Sequence, residues 1–425
     1  MATLLSSLAS PTRILALEAL DGEGLAAVAL YLSASTSSPI VVVRDPRPFS
    51  ALDPALADLA SRRPVVILDR VVPNPRSEDI GAMVEATRLA FGGQAPGLVI
   101  GIGGGSALDS AKALALMLAN PGDLDDYLGL RASRKPEAKG PKLALIPTTT
   151  GTGSEVTRFG VYTDRAGRKY TLASPLLQPD AALLVATAVA DIPPALLAAT
   201  AYDAITHALE TLWNRNATPV SDSLAHAALV ELLRLAGPAY EARRGGRIDG
   251  HTAALLAAAC SAGVAFNVTG TAAIHALSFV LSEEWHQPHG VACAFFTDSV
   301  YSINSALPAI RAKLARVARE VARDAAHDDA RSKPEDSAAK RSAAGEEAFS
   351  DDIRAAAWLG EKLVALRRSL GLASTFSDLG VGAAELPESR IASLFDKVQD
   401  DQKLKNNAVL IDAQSMRALV AAKLQ

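Results

Sequence analysis

A chain of 425 residues, nearly half of them hydrophobic and about a fifth charged, is too long for one small core and calls for two or more domains. Its formal charge of -4, with no basic stripe, excludes broad electrostatic attraction to nucleic acid or acidic lipid. Two cysteines, Cys260 and Cys293, exclude a disulfide scaffold and a four-thiolate zinc site, and no apolar run is read as reaching the roughly eighteen residues of a membrane span.

The first residues, "MATLLSSLASPTRILALEAL", are mildly apolar but have no basic segment before the first leucines. A signal peptide is therefore not expected, and the cytoplasm is the default location. Four short, branched apolar runs follow: "PIVVVRD" (39–45), "PVVILD" (64–69), "GLVIGIG" (97–103) and "KLALIPTTT" (142–150). Such runs suit strands of a parallel sheet buried on both faces. Helical patterns lie between them, notably 77–91 and 106–119, and the alternation predicts a doubly wound α/β layer.

From Pro193 onward the strand signals stop and helical patterns follow one another, several opened by Pro, Ser or Asp and closed by Gly. The expected division is an α/β domain over 1–190 and an all-helical domain over 191–425. The segment 327–352 is rich in charge, Ser and Ala and reads as a solvated insertion.

Three stretches carry chemistry. In "GIGGGSALDSAK" (101–112) a buried strand runs into Gly103, Gly104 and Gly105, and a helix begins. The glycines leave room for a phosphate, Ser106 is placed to cap the helix with Asp109 in a capping box, and the free N–H groups favour a pyrophosphate. A tight strand-to-helix turn is the alternative, since Ser106 replaces the last glycine of the usual fingerprint. The loop "PTTTGTGSEVT" (147–157) follows the next strand, with Thr148, Thr149, Thr152 and Ser154 where a sheet's ligand crevice lies. Asp45 ends the first strand and is placed to accept from ribose hydroxyls, favouring NAD over NADP.

The third stretch is "YDAITHALE" (202–210). Asp203 and His207 stand one helical turn apart on one face of an apolar run, either as a hydrogen-bonded pair or as a grip on a ligand. Farther on come His275 and His289, the latter in "PHG" at the start of a helix. Three imidazole nitrogens and one carboxylate oxygen suit Fe(II) or Zn(II), with room for a substrate oxygen. His226, His251 and His327 lack such partnering and read as core or surface residues, with His286 a weak further candidate.

In these residues the chain resembles the iron-dependent (group III) alcohol dehydrogenases. The likeness runs through nearly the whole sequence, with Asn74–Pro75, the glycine and threonine loops, "DAITHALE" and the His275–His289 pair in the family's order. The resemblance implies a Rossmann-like α/β domain followed by an all-α domain, the dehydroquinate synthase-like architecture, with NAD(P) and the metal facing each other across the cleft, and NAD(H) is the expected cofactor from Asp45. It implies Asp203, His207, His275 and His289 as metal ligands, acting catalytically through the metal, with Fe(II) ahead of Zn(II). It also implies cofactor contacts from Asn74, Gly104, Gly105, Ser106, Asp109, Thr148, Thr149, Thr152 and Lys169.

The sequence departs from the family at Phe279, where many members carry a second, proton-relaying histidine. The proton must then pass through water, a ribose hydroxyl or His286. "ETLWNRNATPVSD" and "HALSF" look similar to the branch containing phosphonoacetaldehyde reductases, although the lysine often found there near Gly270 is missing. The expected activity is an NAD-dependent interconversion of a small primary alcohol and its aldehyde, with a phosphonate or sulfonate aldehyde as candidate substrate. The expected enzyme is cytoplasmic and a homodimer or higher homo-oligomer, without nucleic-acid or membrane partners. Rival readings are a dehydroquinate synthase-like cyclase or lyase, which returns its NAD unchanged, and a non-catalytic scaffold of the same fold.

Overall fold

The computed structural model describes residues 12–424 except 34, 36, 130, 131, 333–348, 350 and 400. The chain divides into two compact units, one of Met1–Pro193 with Arg247–Asn267, the other of Pro194–Gly246 with Val268–Gln425.

In the first unit β1 (Arg13–Leu17), β2 (Ile40–Arg44), β3 (Val65–Leu68), β4 (Leu98–Gly103), β5 (Lys142–Pro147) and β8 (Ala181–Val185) make one sheet. Its order is β1-β8-β5-β4-β2-β3, and every pairing is parallel. β6 (Phe159–Thr163) and β7 (Lys169–Ala173) form a separate antiparallel hairpin. Parallel neighbours require long crossovers, supplied here by α1 (Gly22–Ser33), α2 (Asp53–Arg62), α3 (Ser77–Ala90) and α4 (Gly105–Ala119), with the short α5 (Ala186–Val189) after β8.

The branched runs of β2, β4 and β5 are continuous because both faces of the sheet are covered there, while β3 lies at the edge with Ile67 exposed. Ile40 and Val42 face one core with Ile100, Ile102 and Ile146, while Val41 and Val43 face the other with Val99 and Leu145. Strand order reverses between β2 and β4, so the loops after them leave the sheet side by side at its carboxyl edge, where open α/β sheets bind ligands. β1 (RILAL) and β8 (AALLV) escape a pattern reading because Ala and Leu favour helices.

α8 (Gly250–Thr269) corrects two expectations. Most of it belongs to the first unit, although it lies in the helical half of the chain. It is also long and apolar enough to cross a membrane by length and composition alone, with 61% of its apolar window buried inside the protein, as in a core helix.

The described residues of the second unit form no strand. Its helices are α6 (Pro194–Trp213), α7 (Pro219–Arg244), α9 (Ala273–Glu284), α10 (His289–Ser305), α11 (Pro308–Ser332), α12 (Asp352–Ser369), α13 (Glu388–Asp396), α14 (Gln402–Asn406) and α15 (Ala413–Ala421). α6 is buried almost throughout, ending at Trp213, which packs edge-on to Tyr301 at 6.3 Å. Thr218 and Ser221 close a capping box at the start of α7 with Pro219 beside it, a start for which both residue types are suited. The helix then runs on through Gly237 and Pro238. Of the charged segment 327–352, residues 327–332 end α11, Asp351 caps α12 by accepting from the Ile353 amide at 2.9 Å, and most of the rest lies outside the described residues.

Candidate functional site

In the first unit the glycine loop leaves β4 at Gly103, whose φ of 148° lies in the region reserved for glycine. A Cβ there would sit 2.5 Å from Asp45 Oδ2 and 2.6 Å from Ala107 Cβ. Asp45 Oδ2 accepts from the Gly104 amide at 3.0 Å, so at least one oxygen of the expected ribose acceptor braces the loop. Burial raises the Asp45 carboxyl above its ordinary range, against the lowering effect of the Gly104 amide and the nearby arginines.

The expected capping box does not form. The helix starts at Gly105 with Gly104 as its cap residue, two residues before the expected cap Ser106, so neither side chain is placed to cap it. Ser106 Oγ instead accepts from the Asn74 amide at 3.2 Å, and Asn74 holds a left-handed φ of 57°. Asp109 reaches out of the helix, accepting from Ser154 Oγ at 2.6 Å and from the Val161 amide at 2.9 Å. It therefore ties the glycine-loop helix to the threonine loop and to the hairpin.

The two loops pack closely. The Gly104 position faces Thr149, the Gly105 position faces Thr152, and the Thr148 amide donates to the Gly103 carbonyl at 2.9 Å. Thr148 Oγ1 and Thr149 Oγ1 are buried without a hydrogen-bond partner, which marks them as polar atoms suited to a ligand. Lys169 opens β7, half-buried and opposite Thr163 in the hairpin.

In the second unit Asp203, His207 and Glu210 project from one face of α6, since positions i, i+4 and i+7 share a stripe. His275 stands in the first turn of α9 and His289 is the first residue of α10. α10 comes this close to α6 because Gly290 follows His289: a Cβ at Gly290 would lie 2.1 Å from the Ala199 carbonyl oxygen.

Asp203 Oδ1 lies 3.4 Å from His275 Nε2, 3.7 Å from His289 Nε2 and 3.9 Å from His207 Nε2. The His207 and His275 rings stack at 4.5 Å. Ligand atoms bonded to one ion at about 2.0–2.2 Å stand at such separations. The structure brings Asp203, His275 and His289 into one group, with Cys293, whose donor atoms all lie within 4.8 Å of one another, and His207 borders that group through Asp203 and the His275 ring.

Two features fit a cation. Asp203 Oδ1 and His275 Nε2 are buried with no hydrogen-bond partner, a costly state unless something else satisfies them. Burial alone would raise the Asp203 carboxyl, yet His207, His289 and His275 hold it well below the carboxylate range. Burial would likewise lower the His275 imidazole, yet Cys293, Glu210 and Asp203 push it well above its ordinary value. The cluster is arranged to hold positive charge. His289, with 40% of its side chain exposed against 3% for Asp203 and 5% for His275, is its open side.

Two members of the site escape a sequence reading. Glu210, fully buried, accepts from His275 Nδ1 at 2.7 Å and from the backbone amides of Ala272, Ile274 and His275. It satisfies free N–H groups at the start of α9 and holds a proton on His275 Nδ1, so that Nε2 is the nitrogen an ion would take in place of the second proton. Its signal was its place one turn beyond His207 in an apolar helix. Cys293, one turn beyond His289, puts its Sγ 3.7 Å from His289 Nε2.

His286 is not brought in: it is exposed on the turn between α9 and α10 with a φ of 51°, and among the described residues no hydrogen bond or ring contact joins it to the cluster. Phe279 is buried with its ring centroid 6.5 Å from that of His289. His226 and His251 pair with Glu320 and Asp249.

Comparison with known proteins places both units. A family model described as iron-containing alcohol dehydrogenase matches residues 20–186, and one described as Fe-containing alcohol dehydrogenase family, C-terminal, matches 197–424. Long-chain-alcohol dehydrogenase 1 of Geobacillus thermodenitrificans is 40% identical over 195 residues, 45% of this chain and 48% of its own. Sulfoacetaldehyde reductase of Bilophila wadsworthia is 36% identical over 208 residues, 48% of this chain and 51% of its own. The chain thus spans about half the length of these curated relatives. Two solved structures share the fold with a TM-score of 0.79 at 23% identity. A 1,3-propanediol oxidoreductase covers 96% of this chain and is itself 97% covered. The sulfoacetaldehyde reductase of Bifidobacterium kashiwanohense, in complex with NAD+, gives 98% for both.

Proposed function

Since the chain belongs to the iron-containing alcohol dehydrogenase family, we propose that it interconverts a small primary alcohol and its aldehyde by hydride exchange with NAD(H), using one divalent metal. The observation that carries the reading is the convergence of Asp203, His207, His275 and His289, with Asp203 Oδ1 and His275 Nε2 buried and unsatisfied. Fe(II) and Zn(II) both suit three imidazoles and a carboxylate.

When bound, the ion supplies Lewis-acid polarisation of the reacting oxygen, and the nicotinamide supplies or accepts the hydride. Asp203 contributes the negative charge among the imidazoles, and Glu210 keeps His275 in the ligating tautomer. The exposed face of His289 leaves the side by which a substrate oxygen enters. Phe279 carries no proton, so the exchange is assigned to water or a ribose hydroxyl.

In the first unit the first turn of α4 presents N–H groups to a pyrophosphate, the Gly104 amide being held by Asp45. Thr148 and Thr149 offer hydroxyls to the cofactor, and Asn74, Thr152 and Lys169 complete the proposed contacts. Asp45, Ser106, Asp109 and Ser154 act largely by bracing these loops. An acidic side chain at the tip of β2 favours NAD over NADP.

An anionic aldehyde, phosphonate or sulfonate, is the proposed substrate class, supported by the relative named sulfoacetaldehyde reductase. We also propose a cytoplasmic location, with both cysteines free, and self-association. Supporting the latter, β1 is an edge strand with Ile14 and Leu15 exposed, a surface prone to pairing.

The test is NADH oxidation over phosphono-, sulfo-, carboxy- and unsubstituted small aldehydes, with and without added Fe(II) or Zn(II). Metal-dependent net consumption of NADH with an aldehyde is expected. No consumption with any of them, or turnover that returns NAD unchanged, refutes the dehydrogenase reading.

A further inference from the structure

We propose that Cys293 supplies a sulfur ligand to the ion held at this site, a donor outside the four residues assigned above. The inference rests on the metal reading of the previous subsection and deepens it. Cys293 Sγ, with one donor atom each from Asp203, His275 and His289, forms a group in which every pair lies within 4.8 Å. The sulfur is 3.7 Å from His289 Nε2, and the residue is fully buried.

A buried cysteine is ordinarily a small hydrophobe. Cys260 packs with Val156, Ala182, Leu184, Val189 and Leu256 and meets a single carboxyl, that of Glu155. Cys293 instead shares its pocket with two imidazoles and a carboxylate, and two of those neighbours, Asp203 Oδ1 and His275 Nε2, are buried atoms without partners. Placement on α10 accounts for the geometry: residues i and i+4 share a helix face, so the turn that aims His289 at Asp203 aims Cys293 there as well.

Bonds of about 2.0–2.2 Å to nitrogen and oxygen and about 2.3 Å to sulfur span donor atoms up to roughly 4.5 Å apart, so a group within 4.8 Å would close on one ion through small side-chain shifts. On ligation the S–H bond breaks, its proton passes to solvent, and the sulfur electron pair forms the bond to the ion; no oxidation state changes. A thiolate among nitrogen donors makes the site softer, raising its preference for Zn(II) over Fe(II) beyond the ordinary affinity order.

Cobalt(II) is the probe. The full chain, stripped with a chelator and loaded with cobalt, is expected to bind one equivalent and to show a near-ultraviolet sulfur-to-cobalt charge-transfer band. Cys293→Ser is expected to lose the band while still binding cobalt, and Cys260→Ser to keep it. Should Cys293→Ser fold poorly, X-ray absorption at the zinc edge of the unaltered protein gives the same answer, through a sulfur neighbour at about 2.3 Å. Cobalt bound without a sulfur band, a band surviving in Cys293→Ser, or a zinc shell of only nitrogen and oxygen overturns the proposal and leaves the metal site standing. Failure to bind cobalt or zinc at all removes the metal reading as well.

Discussion

Replacing Glu210 tests the site through a residue that touches neither cofactor nor substrate. Its carboxylate, fully buried, accepts from the amides of Ala272 at 2.6 Å and His275 at 3.2 Å, from the Ile274 amide, and from His275 Nδ1 at 2.7 Å. Glu210→Ala leaves four donors without an acceptor. At about 1–3 kcal/mol for each buried group left unsatisfied, the loss is about 4–12 kcal/mol, comparable with the whole stability of many domains.

Glu210→Gln is the informative variant because it keeps the volume and one acceptor oxygen. Its NH2 group then faces donors, Ala272 N and His275 Nδ1, at a cost of about 2–4 kcal/mol. His275 is driven towards the tautomer with its proton on Nε2, and metal affinity is expected to fall about 10–100-fold. Urea unfolding of the metal-stripped protein reads the first effect, and chelator competition with zinc reads the second. If Glu210→Gln unfolds at the parent's midpoint and binds zinc equally well, the orienting role is wrong.

Three further outcomes are expected. Asp203→Asn removes the charge that faces three imidazoles, so its loss of metal, read by elemental analysis after gel filtration, should exceed the about 10–100-fold that an outer-sphere partner costs. Gly103→Ala forces a Cβ to within 2.5 Å of Asp45 Oδ2 at a φ of 148°; a cost of about 1–3 kcal/mol and weakened NADH binding by fluorescence titration are expected, with metal content unchanged.

The third concerns Glu155, fully buried in the first unit, where burial raises the carboxyl to about 7 from 4.5. Between those values the folded state keeps a proton that the unfolded chain has lost, so stability falls as pH rises through that window, by about 3 kcal/mol in all. Lys112, pushed down to about 8 from 10.5 by burial, acts at higher pH, where stability rises again. Glu155→Gln should flatten the decline between pH 5 and pH 7 in urea unfolding, and parallel curves for parent and variant would refute the assignment.

The sheet strands β2, β4 and β5 were legible because burial on both faces demands unbroken branched apolar runs, a local property of the chain; β3 carries the same kind of run at the sheet edge, with Ile67 exposed. The Asp203–His207 pairing was legible for a similar reason, since helical periodicity alone puts i and i+4 on one face. The family resemblance extended that reading to His275 and His289. β1 and β8 were not legible, because their Ala and Leu take strand form only when sheet neighbours are present.

Ser106 and Asp109 show the limit most plainly. The spacing of Ser and Asp suited a local cap, but their partners, Asn74 and the Ser154–Val161 region, lie tens of residues away. The same holds for Glu210, whose acceptor role exists only once α9 is docked on α6, and for Cys293, which reads as an ordinary core thiol until the imidazoles surround it. Periodicity and turn chemistry act over a few residues, so the sequence by itself determined the helices, the buried strands and which side chains share a stripe. The meeting of Asp203, Glu210, His275 and Cys293 required packing between helices, where contact distance is independent of sequence separation, and that the tertiary structure alone decided.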